Sequence, residues 1–311
     1  MGFGAFARTI GLELPDIEPL SAADMLHPKA DDAIRELRVY LADLVPAWER
    51  YLQVGGFPRA VSDWVADREV SAEFLADLWD VAHGDALASD EWGELQTEQL
   101  LVQLVQAISS FFNVERAARE IVVHHETIRR RLTRLRQSYI TWDCHRLANG
   151  QPQLQAQHKI YFVDPVYANL PHLRIVTRRA PDFTQLTEQQ TGLALKAQHE
   201  VDHPGSFGTS STLFHEKTKT GKEIDFVSPW LHGLPYEGKY TEGAWLREAQ
   251  TAATAYGRCV LATRNVIERR DHRRAVAASM LAYLLDRRAA TAAQACPSGL
   301  RPTTDERRGR D

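Results

Sequence analysis

Cysteine is scarce in this chain. Cys144, Cys259 and Cys296 are the only three among 311 residues, and they are widely separated. That excludes a disulfide framework and points to a reducing compartment. Long hydrophobic runs are missing as well. The longest, Ala275–Leu285, falls short of the roughly 20 apolar residues that cross a bilayer. The first residues, MGFGAFARTIGLELPD, lack the basic lead and apolar core of a secretory leader. The expectation is a cytoplasmic protein with no membrane partner. There is no excess of basic charge. Lys plus Arg is 37 against 41 Asp plus Glu, a net charge of −4, so any nucleic-acid contact has to come from a local face. A phosphate cradle is also lacking. Thr220-Gly221-Lys222-Glu223 is the nearest approach to a P-loop. It has no earlier glycine, and Glu223 stands where the Mg²⁺-holding hydroxyl belongs. No ATP site is expected.

What is present divides the chain into four stretches, and the expected fold class is α+β. Residues 1–105 read as a helical, lid-like segment. Ile34, Leu37, Leu41 and Leu44 recur at helical spacing with Pro46 near the end of that helix, and Leu101, Leu104, Val105, Ile108 and Phe112 repeat the pattern. Residues 106–180 read as a winged helix: a short helix from Val114, a second through about Arg136, then strand-like Tyr139–His145 and Lys159–Val163 around Asn149-Gly150. Residues 181–287 read as a mixed α/β domain, with a helix at Leu186–Glu200. Its expected strands are Thr212–Thr218, Glu223–Val227, Leu234–Tyr240 and Arg258–Thr263. Residues 288–311 read as a disordered tail.

Three constellations carry possible chemistry. In the third stretch, Asp225 is followed twelve positions later by Glu237-Gly238-Lys239. On neighbouring strands, Asp225 and Glu237 can share Mg²⁺ through hard oxygen donors. Lys239, two positions from Glu237, can orient a water, and Glu188 can serve as an outer carboxylate. This is an arrangement for metal-assisted phosphodiester hydrolysis. The plain alternative is a charged strand pair facing solvent.

The second constellation is Arg119–Arg136, where six arginines face two glutamates. Arg129, Arg130 and Arg134 are placed to contact DNA phosphates or guanine edges, with Arg131 on another side. The alternative is a packing module with a solvated Arg face. The third is His199-Glu200-x-x-His203, an H-E-x-x-H string with Glu223 as a conceivable third zinc ligand. Pro204-Gly205 ends the helix there, and a dipole interaction of the histidines is the simpler account. His124-His125 reads as a local cap, Cys144-His145 lacks zinc spacing, and Arg59 reads as structural.

Taken in order, GGFPRAV (Gly55–Val61), the second helix around Thr127, KIYFVDPVYAN (Lys159–Asn169), KTKTGKEIDFV (Lys217–Val227) and PYEGKY (Pro235–Tyr240) resemble the C-terminal half of a prokaryotic family of AAA+-type ATP-binding proteins. That half is a domain of unknown function, a winged helix followed by a fold similar to PD-(D/E)XK nucleases. The resemblance covers about Tyr51 to Leu285. It implies a DNA-binding or regulatory portion of such a protein without its P-loop module, or else a Mg²⁺-dependent DNA nuclease using Glu188, Asp225, Glu237 and Lys239. A role in binding a protein partner is the third expectation. Two departures stand out: the family often has Arg at Lys217 and Val at Gly238. A glycine weakens the strand that carries Glu237 and Lys239.

Overall fold

The computed structural model describes residues 1–18, 20–87, 92–154, 156–174, 180–203 and 212–295. It is an α+β fold in which a helical N-terminal region precedes a mixed sheet in the chain. The first helices are α1 (Phe3–Thr9), α2 (Pro28–Leu37), α3 (Leu41–Val54), α4 (Pro58–Asp67), α5 (Ala72–Leu87) and α6 (Glu94–Gln106). The single helix expected over Ala33–Leu44 is split by a 3-10 turn at Arg38–Tyr40, and α3 runs on past Pro46. An interior proline costs about 3 kcal/mol. The helix beyond it buries Ala47, Trp48, Tyr51 and Leu52, each large side chain contributing roughly 1.5–3 kcal/mol, so burial outweighs the break.

The helix-turn-helix lies where the sequence puts it. It comprises α7 (Val114–Ile121) and α8 (His125–Gln137). Asn113 caps α7 by accepting from Arg116 N–H at 2.8 Å, and Val122 makes the turn at φ +61°. His124 Nδ1 caps α8 by accepting from Glu126 N–H. Strands β1 (Thr141–Ala148), β2 (Gln151–Gln153) and β3 (Lys159–Phe162) follow, then α9 (Pro165–Arg174) and the long α10 (Phe183–Asp202). Two of the sequence motifs meet here. The Asp164 carboxylate of KIYFVDP accepts from Gly56 N–H at 2.8 Å and Val166 N–H at 3.0 Å. Any side chain at Gly55 would collide with that carboxylate.

The remaining elements are β4 (Phe214–Lys217), β5 (Glu223–Val227), β6 (Tyr236–Gly238), α11 (Trp245–Glu248), α12 (Gln250–Tyr256), β7 (Cys259–Thr263), β8 (Glu268–Arg270), β9 (Arg273–Ala277) and α13 (Ala278–Ala295). Thr220-Gly221-Lys222 is the turn between β4 and β5, with Gly221 at φ +80°. The sheet order is β2-β1-β4-β5-β6-β7-β9-β8, with β3 also on β1. β1 is thus shared: Thr141–Cys144 pair with β3, and His145–Leu147 pair in parallel with β4. The stretch expected to be a winged helix and the α/β region are joined through that strand. The apolar run at Ala275–Leu285 divides between β9 and α13, and α13 extends to Ala295, inside the stretch expected to be a disordered tail. Residues 296–311, and Cys296 with them, lie outside the described residues. Cys144 and Cys259 are buried and unpaired by disulfide.

Candidate active site

β5 and β6 pair at a single register position, Phe226 with Tyr236. Next to that pair Asp225 accepts from Gly238 N–H at 3.1 Å, so a carboxylate bridges the two strands where their ladder stops. Gly238 explains how α10 reaches the same place. A Cβ there would lie 2.6 Å from Glu188 Cα and 3.2 Å from Glu188 N. The absent side chain admits the backbone of α10 and brings Glu188 to the strands. On sequence alone Gly238 is a weakness of its strand; its packing makes it a requirement for the position of Glu188.

All four expected catalytic residues converge. Lys239 Nζ lies 2.7 Å from Asp225 Oδ2 and 3.1 Å from Glu237 Oε2. Glu188, Asp225 and Glu237 are buried. The alternative of a solvent-facing charged strand pair therefore fails for them, though Lys239 keeps some exposure. Two residues that the sequence pattern does not single out complete the cluster. Lys159 of β3 is 1% exposed. Its Nζ lies 2.7 Å from Glu188 Oε1 and 3.4 Å from Asp225 Oδ1, and it pairs with Glu223. Tyr161, two positions on, donates its hydroxyl to Glu188 Oε1 at 2.6 Å. A lysine and a tyrosine alternating in the apolar strand KIYF are the available signal.

The electrostatics follow from burial and from the two ammoniums. Burial alone would raise the Asp225 carboxyl, but the charges of Lys239 and Lys159 outweigh it and hold that carboxyl well below the ordinary range. Burial, then the neighbouring Asp225 charge, pushes Glu237 well above its ordinary value. Burial likewise raises Glu223, against the pull of Lys159. Glu237 Oε1 is buried without a hydrogen-bond donor; protonation lets this carboxyl hydrogen-bond to Asp225. Four carboxyl groups share two ammoniums, so the fully ionised cluster carries two negative charges in excess.

That excess, the hard oxygen donors and the donorless Glu237 oxygen fit a divalent cation such as Mg²⁺ held between Asp225 and Glu237. Among the described residues no group of three or more His, Cys, Asp or Glu side chains is arranged to hold a metal by itself. Here the acids meet largely through lysines.

The arginines lie on α8, apart from the acid cluster. Arg129 and Arg130 are exposed and Arg134 is half-buried. Arg129 pairs with Glu126 at 3.1 Å and Glu115 at 3.3 Å; such exposed pairs are weak, about 0–1 kcal/mol. Arg131 is buried against the Trp92 ring, and Arg136 holds Asp143 at 2.6 Å. Arg59 pairs with Asp63 at 2.9 Å. In the H-E-x-x-H string, α10 ends at Asp202, the His199 and His203 rings stack at 4.4 Å, and Glu200 pairs with Lys196. Glu223 stays with Lys159 in the acid cluster.

Residues 45–172 match the model of a domain of unknown function, DUF8612. The match runs from within α3 to within α9. It includes Lys159 and Tyr161 and ends before Glu188, Asp225, Glu237 and Lys239. No curated protein matches the chain, and no solved structure does. No described helix is long and apolar enough to cross a membrane.

Proposed function

We propose that this chain is a cytoplasmic, Mg²⁺-dependent DNA phosphodiesterase of the PD-(D/E)XK type, working as the DNA-handling part of an AAA+-type protein whose nucleotide site lies elsewhere. The observation that carries the reading is the convergence of Glu188, Asp225, Glu237 and Lys239 in one cluster, its three carboxyl groups buried. Asp225 and Glu237 would hold the ion. When bound, Mg²⁺ polarises a phosphoryl oxygen and makes a water easier to ionise. Lys239 is placed to orient the attacking water and to offset charge developing on the phosphate. Glu188, anchored by Tyr161 and Lys159, fixes the far side of the cluster.

Two basic surfaces support a polyanionic substrate. One is the Arg129, Arg130 and Arg134 face of α8. The other is a groove of about 790 Å³ at the β4–β5 turn, where Arg146, Lys217, Lys219 and Lys222 contribute to the wall.

Supercoiled-plasmid nicking tests the reading. Nicking should need Mg²⁺ and vanish in Asp225→Ala; unchanged nicking in that variant refutes it. Reversing Arg129, Arg130 and Arg134 to Glu should weaken DNA binding and flatten its dependence on salt. A second reading, a DNA-binding or regulatory portion without catalysis, is favoured by one observation: Lys159 already supplies positive charge among the acids. It predicts salt-dependent DNA binding with no nicking under any divalent ion. Binding of a protein partner is what remains if both assays are silent.

A further inference from the structure

In the chemistry just described Lys159 only anchors Glu188, yet it is among the most buried side chains in the molecule. Its ammonium is surrounded by three carboxylates: Glu188 from α10, and Glu223 and Asp225 from β5. Those are hard oxygen ligands around one positive centre, the surroundings that a divalent cation takes. We propose that Lys159 is a built-in substitute for a second divalent cation, so that the acid cluster binds one metal ion and not two. This rests on the metal-dependent reading above.

Three observations support it. The first is position. The Lys159 ammonium shares Asp225 with the Asp225–Glu237 pair but engages Oδ1, leaving Lys239 and Gly238 N–H on Oδ2. The Lys159 ammonium therefore takes the Oδ1 side of Asp225 together with Glu188, the place where a second ion sharing Asp225 would sit. The second is rigidity. Glu188 Oε1 accepts from both Lys159 Nζ and Tyr161 OH, and both donors come from β3, so a short strand holds the ammonium and its principal ligand in register. The third is charge. Four carboxylates against two ammoniums leave an excess that one divalent ion neutralises. A second would leave two positive charges in excess at a buried site, against one when Lys159 is removed, and that larger excess is costly where the surroundings are poorly hydrated.

The test counts metal ions and does not depend on cleavage. Mn²⁺ is titrated into the full chain and free ion is followed by electron paramagnetic resonance. The wild-type protein should bind one Mn²⁺, and Asp225→Asn should lose it. Lys159→Met should bind two, with the thermal midpoint rising more on Mn²⁺ addition than in the wild type. The second ion should bind at least roughly tenfold more tightly than any further ion bound by the wild type, because a neighbouring positive charge has been removed. Two ions in the wild type, or one in folded Lys159→Met, overturns this inference and leaves the metal reading standing. No Mn²⁺ in the wild type overturns both. If Lys159→Met does not fold, the wild-type count still decides, with Lys159→Arg expected to keep the count at one.

Discussion

Gly238 offers the sharpest test of how the site is assembled. Its Cβ position is 2.6 Å from Glu188 Cα and 3.1 Å from Glu188 Cβ. Carbon atoms settle at about 3.5–4.0 Å, so Gly238→Ala forces α10 and β6 apart by about 1 Å. The contact is with backbone, and no side-chain rotation relieves it. Overpacking of this kind costs about 1–3 kcal/mol, against which the stiffer unfolded chain returns about 0.4–1 kcal/mol. A net loss of about 1–2 kcal/mol is expected in urea unfolding. Gly243→Ala is the control, since a Cβ there meets nothing within 4 Å and should be neutral or slightly stabilising. The displacement also carries Glu188 away from Lys159 and Asp225, so Mn²⁺ affinity should fall in Gly238→Ala and not in Gly243→Ala. Equal stability and equal Mn²⁺ binding in the two variants would refute the close-packing account of Glu188.

Other expectations concern charge and hydrogen bonding. Because Glu237 is raised in the folded state, the native chain keeps a proton that the unfolded chain loses above about pH 4.3. Its contribution to stability is therefore present at low pH and is lost as pH rises above that value towards the folded pKa, by about 1.4 kcal/mol for each pH unit crossed. Glu237→Gln should be less sensitive to pH than the wild type between about pH 5 and 8 in urea unfolding; an identical slope counts against a protonated Glu237. Mn²⁺ binding should release a proton in the wild type, read as a buffer-dependent heat in calorimetry, and not in Glu237→Gln. Asp31 pairs with Arg274, which is 3% exposed. Asp31→Ala leaves a buried guanidinium without its partner and should cost about 3 kcal/mol by denaturant unfolding. Trp48 donates to the fully buried Thr187 hydroxyl at 3.1 Å. Trp48→Phe should therefore cost about 1–3 kcal/mol, and a change below about 0.5 kcal/mol would show that Thr187 finds another donor.

The order of helices and strands is largely legible in the sequence because most elements carry their own period, and α7, α8 and α10 carry side-chain caps as well. Asp225, Glu237 and Lys239 are legible for a related reason: their spacing matches two strands that meet. What stays hidden depends on tertiary approach. Lys159 and Glu188 lie 29 residues apart and Lys159 and Asp225 lie 66 apart, and nothing in KIYF states which helix packs over it. The role of Gly238 is hidden because a glycine in a strand has two meanings, lost packing or close approach, and only the position of α10 separates them. The run at Ala275–Leu285 conceals a strand and a helix because a continuous apolar stretch has no period that distinguishes the two.

Strand β1 determines how the arginine helix and the acid cluster stand to each other. At one end of the connection, Arg136 of α8 holds Asp143 on β1. Cys144, the next residue, lies opposite Lys159 on β3, and Lys159 reaches Glu188 and Asp225. The same strand pairs in parallel with β4, whose neighbour β5 carries Asp225. The spacing of the arginine face and the acid cluster is thus set by strand register and buried ion pairs, which resist stretching far more than a linker does. If α8 binds DNA and the cluster cuts it, cleavage falls at a fixed offset from the bound segment. Footprinting and cleavage mapping on one duplex would reveal that offset, whereas a scatter of cuts at variable distance would mean that the two surfaces engage different molecules.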